Sequence, residues 1–207
     1  SFMEKFNLND HVISARIGSP TPYGNQPKSY LWSGISIDKE KSYSFQYSWV
    51  FQPSQLEVTF CFGSGVSATG KVDKEILMNK ERNIQELQQK LIKIINEPDR
   101  KSILEKLINE EKFVITSEWL KKEGNKSTDI NKFIEDLKNN NGAKSGITRY
   151  FQKEELLSEW FNLEEEIYKY FELFKPIWDD LHKDFSTINY STEGNSIKEV
   201  IRDEKEK

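Results

Sequence analysis

The most restrictive part of this chain is residues 30–65, YLWSGISIDKEKSYSFQYSWVFQPSQLEVTFCFGSG, the densest run of β-forming residues in the sequence. It divides into three strands, at 30–37, 42–51 and 56–62. In the third, Leu56, Val58, Phe60 and Phe62 alternate with Glu57, Thr59 and Cys61. A period of two marks a strand of an antiparallel sheet with one buried face. In the second, Phe45, Tyr47, Trp49 and Phe51 share one face, and Ser44, Gln46, Ser48 and Val50 the other. Residues 38–41 and 52–55 are the turns of a meander, and Pro53 cannot sit inside a paired strand.

Around this sheet the pattern changes to helices. Ile76, Leu77, Ile84, Leu87, Leu91, Ile94 and Ile95 recur at three- and four-residue spacings, and Pro98 ends that helix. Asp99 is expected to cap the next helix, which buries Ile103, Leu104, Leu107 and Ile108. Asp129 caps another, with Ile130, Phe133, Ile134 and Leu137 inward. Trp160, Leu163, Ile167, Phe171, Phe174, Trp178 and Leu181 form one stripe of a long last helix from 153 to about 181, which Pro176 is expected to kink or divide. Residues 11–17, 112–116 and 145–150 are further short strands, the partner of 112–116 being open. Residues 18–29, with three prolines and two glycines, read as a long surface loop. The expected fold class is α+β: an antiparallel, partly curled sheet packed against several helices, the last one long.

A length of 207 residues suits one domain, or one domain plus an appendage. We place a domain at 4–184 and a polar linker or tail at 185–207, leading to a missing C-terminal motor region. Ser1, Phe2 and Met3 are set apart as a tag remnant. No segment reaches the roughly 20 apolar residues of a membrane span, and no signal peptide opens the chain. One cysteine, Cys61, excludes an internal disulfide and a cysteine-rich metal site, and with only His11 and His182 no histidine-based metal site is expected. The expected compartment is the cytoplasm.

Charge is unevenly spread. Residues 154–184 carry ten acids against three lysines, whereas 138–153 carry Lys138, Lys144, Arg149 and Lys153 and no acid. The basic stretch is either a solvated loop or a phosphate-contacting one. Residues 65–71 match GxxxxGK after a strand and before a helix, but Val72 stands where a phosphate-binding loop needs a hydroxyl for magnesium. A Gly-rich turn is the expected role. No GxSxG, HExxH or Cys–His arrangement is present, and Glu57 is the one acid inside a clear strand, with no ExK following it. Neither an enzyme nor a cofactor is expected. Seven aromatic residues between 30 and 51 exceed what one buried face requires, and the surplus fits a pocket that stacks a planar ligand such as a base.

Four pieces of the sequence together resemble the N-terminal DNA-binding domain of McrB-type proteins, the specificity subunits of modification-dependent restriction systems. They are 11–18, HVISARIG; 30–37, YLWSGISI, whose Trp32 matches a tryptophan of that family; 44–67, SFQYSWVFQPSQLEVTFCFGSGVS; and 146–181, GITRYFQKEELLSEWFNLEEEIYKYFELFKPIWDDL. Leu31 stands where the family usually has proline. The resemblance implies a phage-defence module that binds double-stranded DNA and flips a modified base, methylated cytosine, into an aromatic pocket. It also implies a GTP-driven motor further along the parent protein and a separate nuclease subunit as partner. The expected pocket residues are Trp32, Tyr30, Tyr47 and Trp49, with only one of Tyr47 and Trp49 lining the pocket and the other in the core. Arg16, Lys28, Lys144 and Arg149 are the expected phosphate contacts. The alternatives are a protein-interaction or regulatory domain of a defence-associated ATPase with no DNA contact, and a nucleotide-binding enzyme using residues 65–71.

Overall fold

A computed structural model describes residues 1–16, 19–21, 24–26, 30–37, 44–63, 74–117, 126–139, 145–158 and 161–183; for Arg16, 19–21, 24–26 and 74–81 only the backbone is described. The strands are β1 (Val12–Arg16), β2 (Ser19–Thr21), β3 (Gly24–Gln26), β4 (Leu31–Ser36), β5 (Phe45–Phe51), β6 (Gln55–Phe62), β7 (Val114–Thr116) and β8 (Gly146–Gln152). The helices are α1 (Phe2–Lys5), α2 (Lys74–Ile95), α3 (Pro98–Asn109), α4 (Ile130–Lys138), α5 (Lys153–Leu156) and α6 (Leu163–His182). Six strands form one antiparallel sheet in the order β1-β4-β5-β6-β8-β7. The fold is α+β, as the alternation of residues 30–62 requires. The open partner of 112–116 is β8, which lies between β6 and the edge strand β7.

One face of the sheet carries the core. Phe45, Tyr47, Leu56, Val58, Phe60, Phe62, Ile115, Ile147 and Phe151 are buried there beneath Tyr170, Phe171, Phe174 and Trp178 of α6. Aromatic rings join the layers: Phe60 stacks on Phe174 at 4.0 Å and on Tyr47 at 4.4 Å, each pair within 15° of parallel. The Tyr47 hydroxyl donates to the Ile167 carbonyl at 2.8 Å, and burial raises its pKa well above the ordinary tyrosine value. A buried hydroxyl needs such a partner, since an unpaired one costs a hydrogen bond's worth of desolvation.

Several expectations need correction. Residues 18–29 are not free of regular structure, because β2 and β3 pair there, Pro20 opposite Asn25. A two-stranded ladder leaves every second N–H outside it, which is where proline is tolerated. Asp99 does not cap α3: Glu97 is the cap residue and Pro98 opens the helix, a position where its missing N–H costs nothing. The chain breaks its last helical stretch after Leu156 and not at Pro176; Asn162 caps α6, its side chain accepting from Glu165 N at 3.3 Å, and the helix runs unbroken through Pro176. The carbonyl that Pro176 leaves without an amide belongs to the exposed Glu172, on the side of the helix open to solvent. Asp129 does cap α4, accepting from Asn131 N at 2.9 Å. The first residues belong to the packing: Ser1 and Glu4 form a capping box, and the Phe2 ring lies 4.7 Å from Phe6 and 5.0 Å from both Tyr168 and Phe171.

Trp178 shows what closes the core near the end of α6. It is fully buried, and its indole N–H donates to His11 Nε2 at 3.0 Å, so neutral His11 carries its proton on Nδ1. The Trp178 carbonyl lies 2.8 Å from His182 Nδ1 and can only accept, so that nitrogen is the donor. The two imidazoles meet edge to face at 5.5 Å. Trp178→Ala is expected to destabilise the protein by about 3–5 kcal/mol, as large core truncations do; urea denaturation checks this, and a wild-type midpoint would remove Trp178 from the core.

Burial lowers the pKa of His11 to about 4, with Asp10 and Asp179 opposing, and that of His182 to about 3, assisted by His11. The unfolded chain therefore binds more protons than the native one below about pH 6.5. The stability these histidines contribute is whole above that pH and is lost as pH falls towards the two folded values. Urea midpoints should drop between pH 6.5 and 5, before most carboxylates titrate, and His11→Phe should flatten that drop. A midpoint constant across this window would contradict it.

Candidate functional site

The face of the sheet opposite α6 has a different composition. Antiparallel register sets its residues in rows across the strands. One row is Ser14, Gly34, Ser48, Thr59, Thr148 and Val114; the next is Arg16, Trp32, Val50, Glu57 and Tyr150. The first is small and mostly polar, and it is closed by hydroxyl bonds: Thr148 donates to Thr59 at 2.9 Å, and Thr116 lies 2.8 Å from Thr148. In the second row Trp32, Val50, Glu57 and Tyr150 are half-buried, so a ligand can reach them.

Neighbouring strands come unusually close on this face at two glycines, and Ser48, Thr59 and Thr148 beside them are buried. A Cβ on Gly34 would come within 2.7 Å of Ser48 Cβ, and one on Gly146 within 2.5 Å of Cys61 Cβ. Ordinary cross-strand Cβ atoms stand about 4.5–5.5 Å apart, so neither position has room for a side chain. The same missing Cβ at Gly34 makes room for Trp32, whose Cζ2 would lie 2.9 Å from it. The indole thus lies along its own strand over Gly34, at the rim of the small-residue row.

Beside it, Glu57 is held by two amides: its Oε1 accepts from Gln52 Nε2 at 2.7 Å and from Gln55 Nε2 at 3.1 Å. Tyr150 follows in the row with Lys126 Nζ 3.3 Å from its ring centre, and burial together with the Glu57 charge raises its pKa above the ordinary tyrosine range. The sequence reading did not select Glu57, Tyr150 or Lys126 as site residues.

The expected pocket residues separate. Tyr30 is exposed just before β4, and Trp32 lies on the outer face. Tyr47 and Trp49 do not face opposite sides of β5. They are two positions apart and share the helix-covered face, with rings 5.7 Å apart. Tyr47 is fully buried and Trp49 packs on the core, so neither shares a face with Trp32.

Among the expected phosphate contacts, the backbone of Arg16 lies opposite Trp32, and Lys28 and Lys144 fall outside the described residues. Residues 65–71 and Trp160 fall outside them too. Arg149 is not a surface cation. It is 9 % exposed on the core face, pairs with Glu155 at 2.5 Å, also donates to the Tyr150 carbonyl, and lies 4.4 Å from the Phe151 ring centre. Alternation in β8 turns Ile147, Arg149 and Phe151 to one side, and the guanidinium reaches its partners at the edge of the core.

The helical side offers depressions of about 520 and 460 Å³, lined by Lys5, Arg100, Glu172, Asp179 and Asp180 and by Glu164, Glu165 and Lys169 respectively. Their cations are already paired: Arg100 with Asp180, Lys169 with Glu111 and Glu166, and Lys175 with Asp179. Among the described residues no three His, Cys, Asp or Glu converge on a metal-sized space, and no helix is long and apolar enough to cross a membrane. No family model matches the chain, and no curated protein matches it.

Arg149→Ala is expected to cost about 1.5–3 kcal/mol, the range for hydrogen bonds to charged groups. It should leave any salt dependence of polyanion binding unchanged. A reduced salt slope with an unaltered melting temperature would return Arg149 to the surface.

Proposed function

We propose that the outer face of the sheet is the DNA-binding surface of a modification-dependent recognition module, which takes a modified base out of the duplex and stacks it on Trp32. The observation that carries this reading is the half-buried indole over Gly34, on the face away from α6 and beside a row of small polar side chains. Unstacking and unpairing a base costs a few kcal/mol, and stacking on an aromatic ring returns roughly 1–3 kcal/mol. The acidic residues of 154–184 lie mainly on α6 and its approach, on the other side of the sheet, so this face meets a polyanion with the least repulsion. Arg16, Lys28, Lys144 and Lys126 supply the phosphate contacts in this reading, and Arg149, Tyr47 and Trp49 drop out of it. A motor region and a nuclease subunit belong to the same proposal through the resemblance to McrB-type proteins.

A second reading, a protein-interaction or regulatory domain, draws on a different observation. Ile13, Leu31 and Phe51, on the helix-side face of β1, β4 and β5, are 54 %, 46 % and 37 % exposed.

Titration at two salt concentrations with duplexes carrying plain or methylated cytosine, and 2-aminopurine beside the target, tests the first reading. The expected result is salt-dependent binding to every duplex and a fluorescence rise on the modified one. Trp32→Ala should abolish the preference while leaving the melting temperature and weak nonspecific binding intact. No rise on any modified duplex, or a Trp32→Ala chain that unfolds, would defeat the base-stacking role, and absence of DNA binding would favour the second reading.

A further inference from the structure

We propose that β1 is an interface strand, through which two copies of this chain pair edge to edge and antiparallel about a two-fold axis at Ser14. This pairing does not depend on the base-stacking reading. β1 stands at the end of the six-stranded sheet, and β2 and β3 pair only with each other. Its second edge therefore has no strand beside it among the described residues. The groups on that edge follow from hydrogen bonds further along the sheet. In an antiparallel ladder the N–H and C=O of one residue point to the same neighbouring strand, and successive residues alternate. Gln52 N–H donates to the Gln55 carbonyl and Gly63 N–H to the Ser44 carbonyl, so the even-numbered residues of β5 face β6 and the odd ones face β4. Register then turns the odd residues of β4 to β5 and its even ones, Trp32, Gly34 and Ser36, to their β1 partners Arg16, Ser14 and Val12. The Ser33 hydroxyl donates to the Ser14 carbonyl at 3.2 Å, which puts that carbonyl on the β4 side as required. Ile13 and Ala15 are left with their N–H and C=O aimed away from the sheet. Neither makes another hydrogen bond among the described residues, and both are exposed.

Edge strands are ordinarily guarded by a lysine, a proline, a bulge or an inward-pointing charge. Val12, Ile13, Ser14 and Ala15 offer none of these, and the register of β1 on β4 is unbroken. A second copy fits this edge by self-complementarity. With Ser14 opposite Ser14, Ile13 of each copy stands opposite Ala15 of the other. Both of these are hydrogen-bonded pairs, and together they use every outward donor and acceptor of Ile13 and Ala15 on the two copies. An axis at Ile13 would instead set Ala15 opposite His11, whose N–H already donates to the Leu8 carbonyl. On the helix-side face the two Ile13 side chains become diagonal neighbours beside the small Ala15, and each covers apolar surface now open to solvent. Arg16, the one charged residue of β1, falls opposite Val12, so no like charges meet directly across the axis. A strand of 5 residues makes a small interface, and the pairing is accordingly weak and concentration-dependent.

Sedimentation equilibrium of the 207-residue chain between about 1 µM and about 1 mM spans an affinity of this kind. The mass should rise with concentration from 24.4 kDa towards twice that value. Ala15→Pro removes an outward N–H that the single chain does not use, so it should stay at the monomer mass throughout while melting like wild type. Ile13→Lys, which puts a charge on the edge, should do the same and answers the question if the proline disturbs folding. Cross-linking in a Cys61→Ser background reads the register. Ser14→Cys should form an intermolecular disulfide under mild oxidation, because residues opposite each other in a non-hydrogen-bonded pair have Cα atoms about 4.5 Å apart, within disulfide range. Val12→Cys, whose opposite is Arg16 of the second copy, should not. A mass fixed at the monomer value over the whole range overturns the proposal, and is the result expected if the strand of a different protein takes this edge. A dimer that folded Ala15→Pro and Ile13→Lys chains both retain overturns it as well, by placing the contact elsewhere. A disulfide from Val12→Cys and none from Ser14→Cys overturns the axis at Ser14.

Discussion

The stack of Tyr47, Phe60 and Phe174 is the contact on which the two layers of this protein depend. It places a ring from β5, a ring from β6 and a ring from α6 in one nearly parallel column, and the Tyr47 hydroxyl ties that column to the α6 backbone. Offset rings gain about 0.5–1.5 kcal/mol beyond their buried area. The column also has a geometric effect. A strand whose odd positions are committed to such a stack has no choice about where its even positions point. Burying Tyr47 and Phe60 therefore turns Val50 and Glu57 to the other side.

The two faces of the sheet then follow different rules. The helix-covered face is filled by large rings and branched aliphatics at ordinary core burial. The outer face carries glycine, serine and threonine where the strands come closest, and Trp32, Val50, Glu57 and Tyr150 stand in a single row. Small residues permit the close approach, and the indole of Trp32 lies beside them over Gly34. Charge follows the same division. Cations on the helical side are neutralised by neighbouring acids, whereas the cation of Lys126 lies on a tyrosine ring.

The strands 30–62 were legible because large apolar residues recur at every second position there, and one face of a half-buried sheet demands that pattern. The α4 cap and the buried stripe of α6 were legible for equally local reasons. Arg149 was misread because its stretch is basic in composition. The alternation Ile147, Arg149, Phe151 already pointed inward, but a short strand with an arginine at its centre does not declare a buried face. Dividing Tyr47 and Trp49 between pocket and core was a misapplied period, since positions two apart share a side. The row from Trp32 to Tyr150 could not be read at all. Its members become neighbours through register, and register depends on which strands pair and where, information that no local window holds. Glu57 was visible as an acid in a strand, but its neighbours Val50 and Tyr150 were not.

The position of β8 sets the order in which this protein can assemble. β4, β5 and β6 are consecutive hairpins and can pair from local contacts. β8 enters between β6 and β7 only after α2, α3, β7 and α4 have been traversed. Contacts of such long sequence separation pay their loop-closure entropy before they return any stability, which slows folding. Three members of the row, Trp32, Val50 and Glu57, can thus come together early, while Tyr150 joins only with the last strand. The row on the outer face is therefore completed across the longest sequence separation in the sheet, and a chain that has not yet paired β8 carries Trp32, Val50 and Glu57 without Tyr150 beside them.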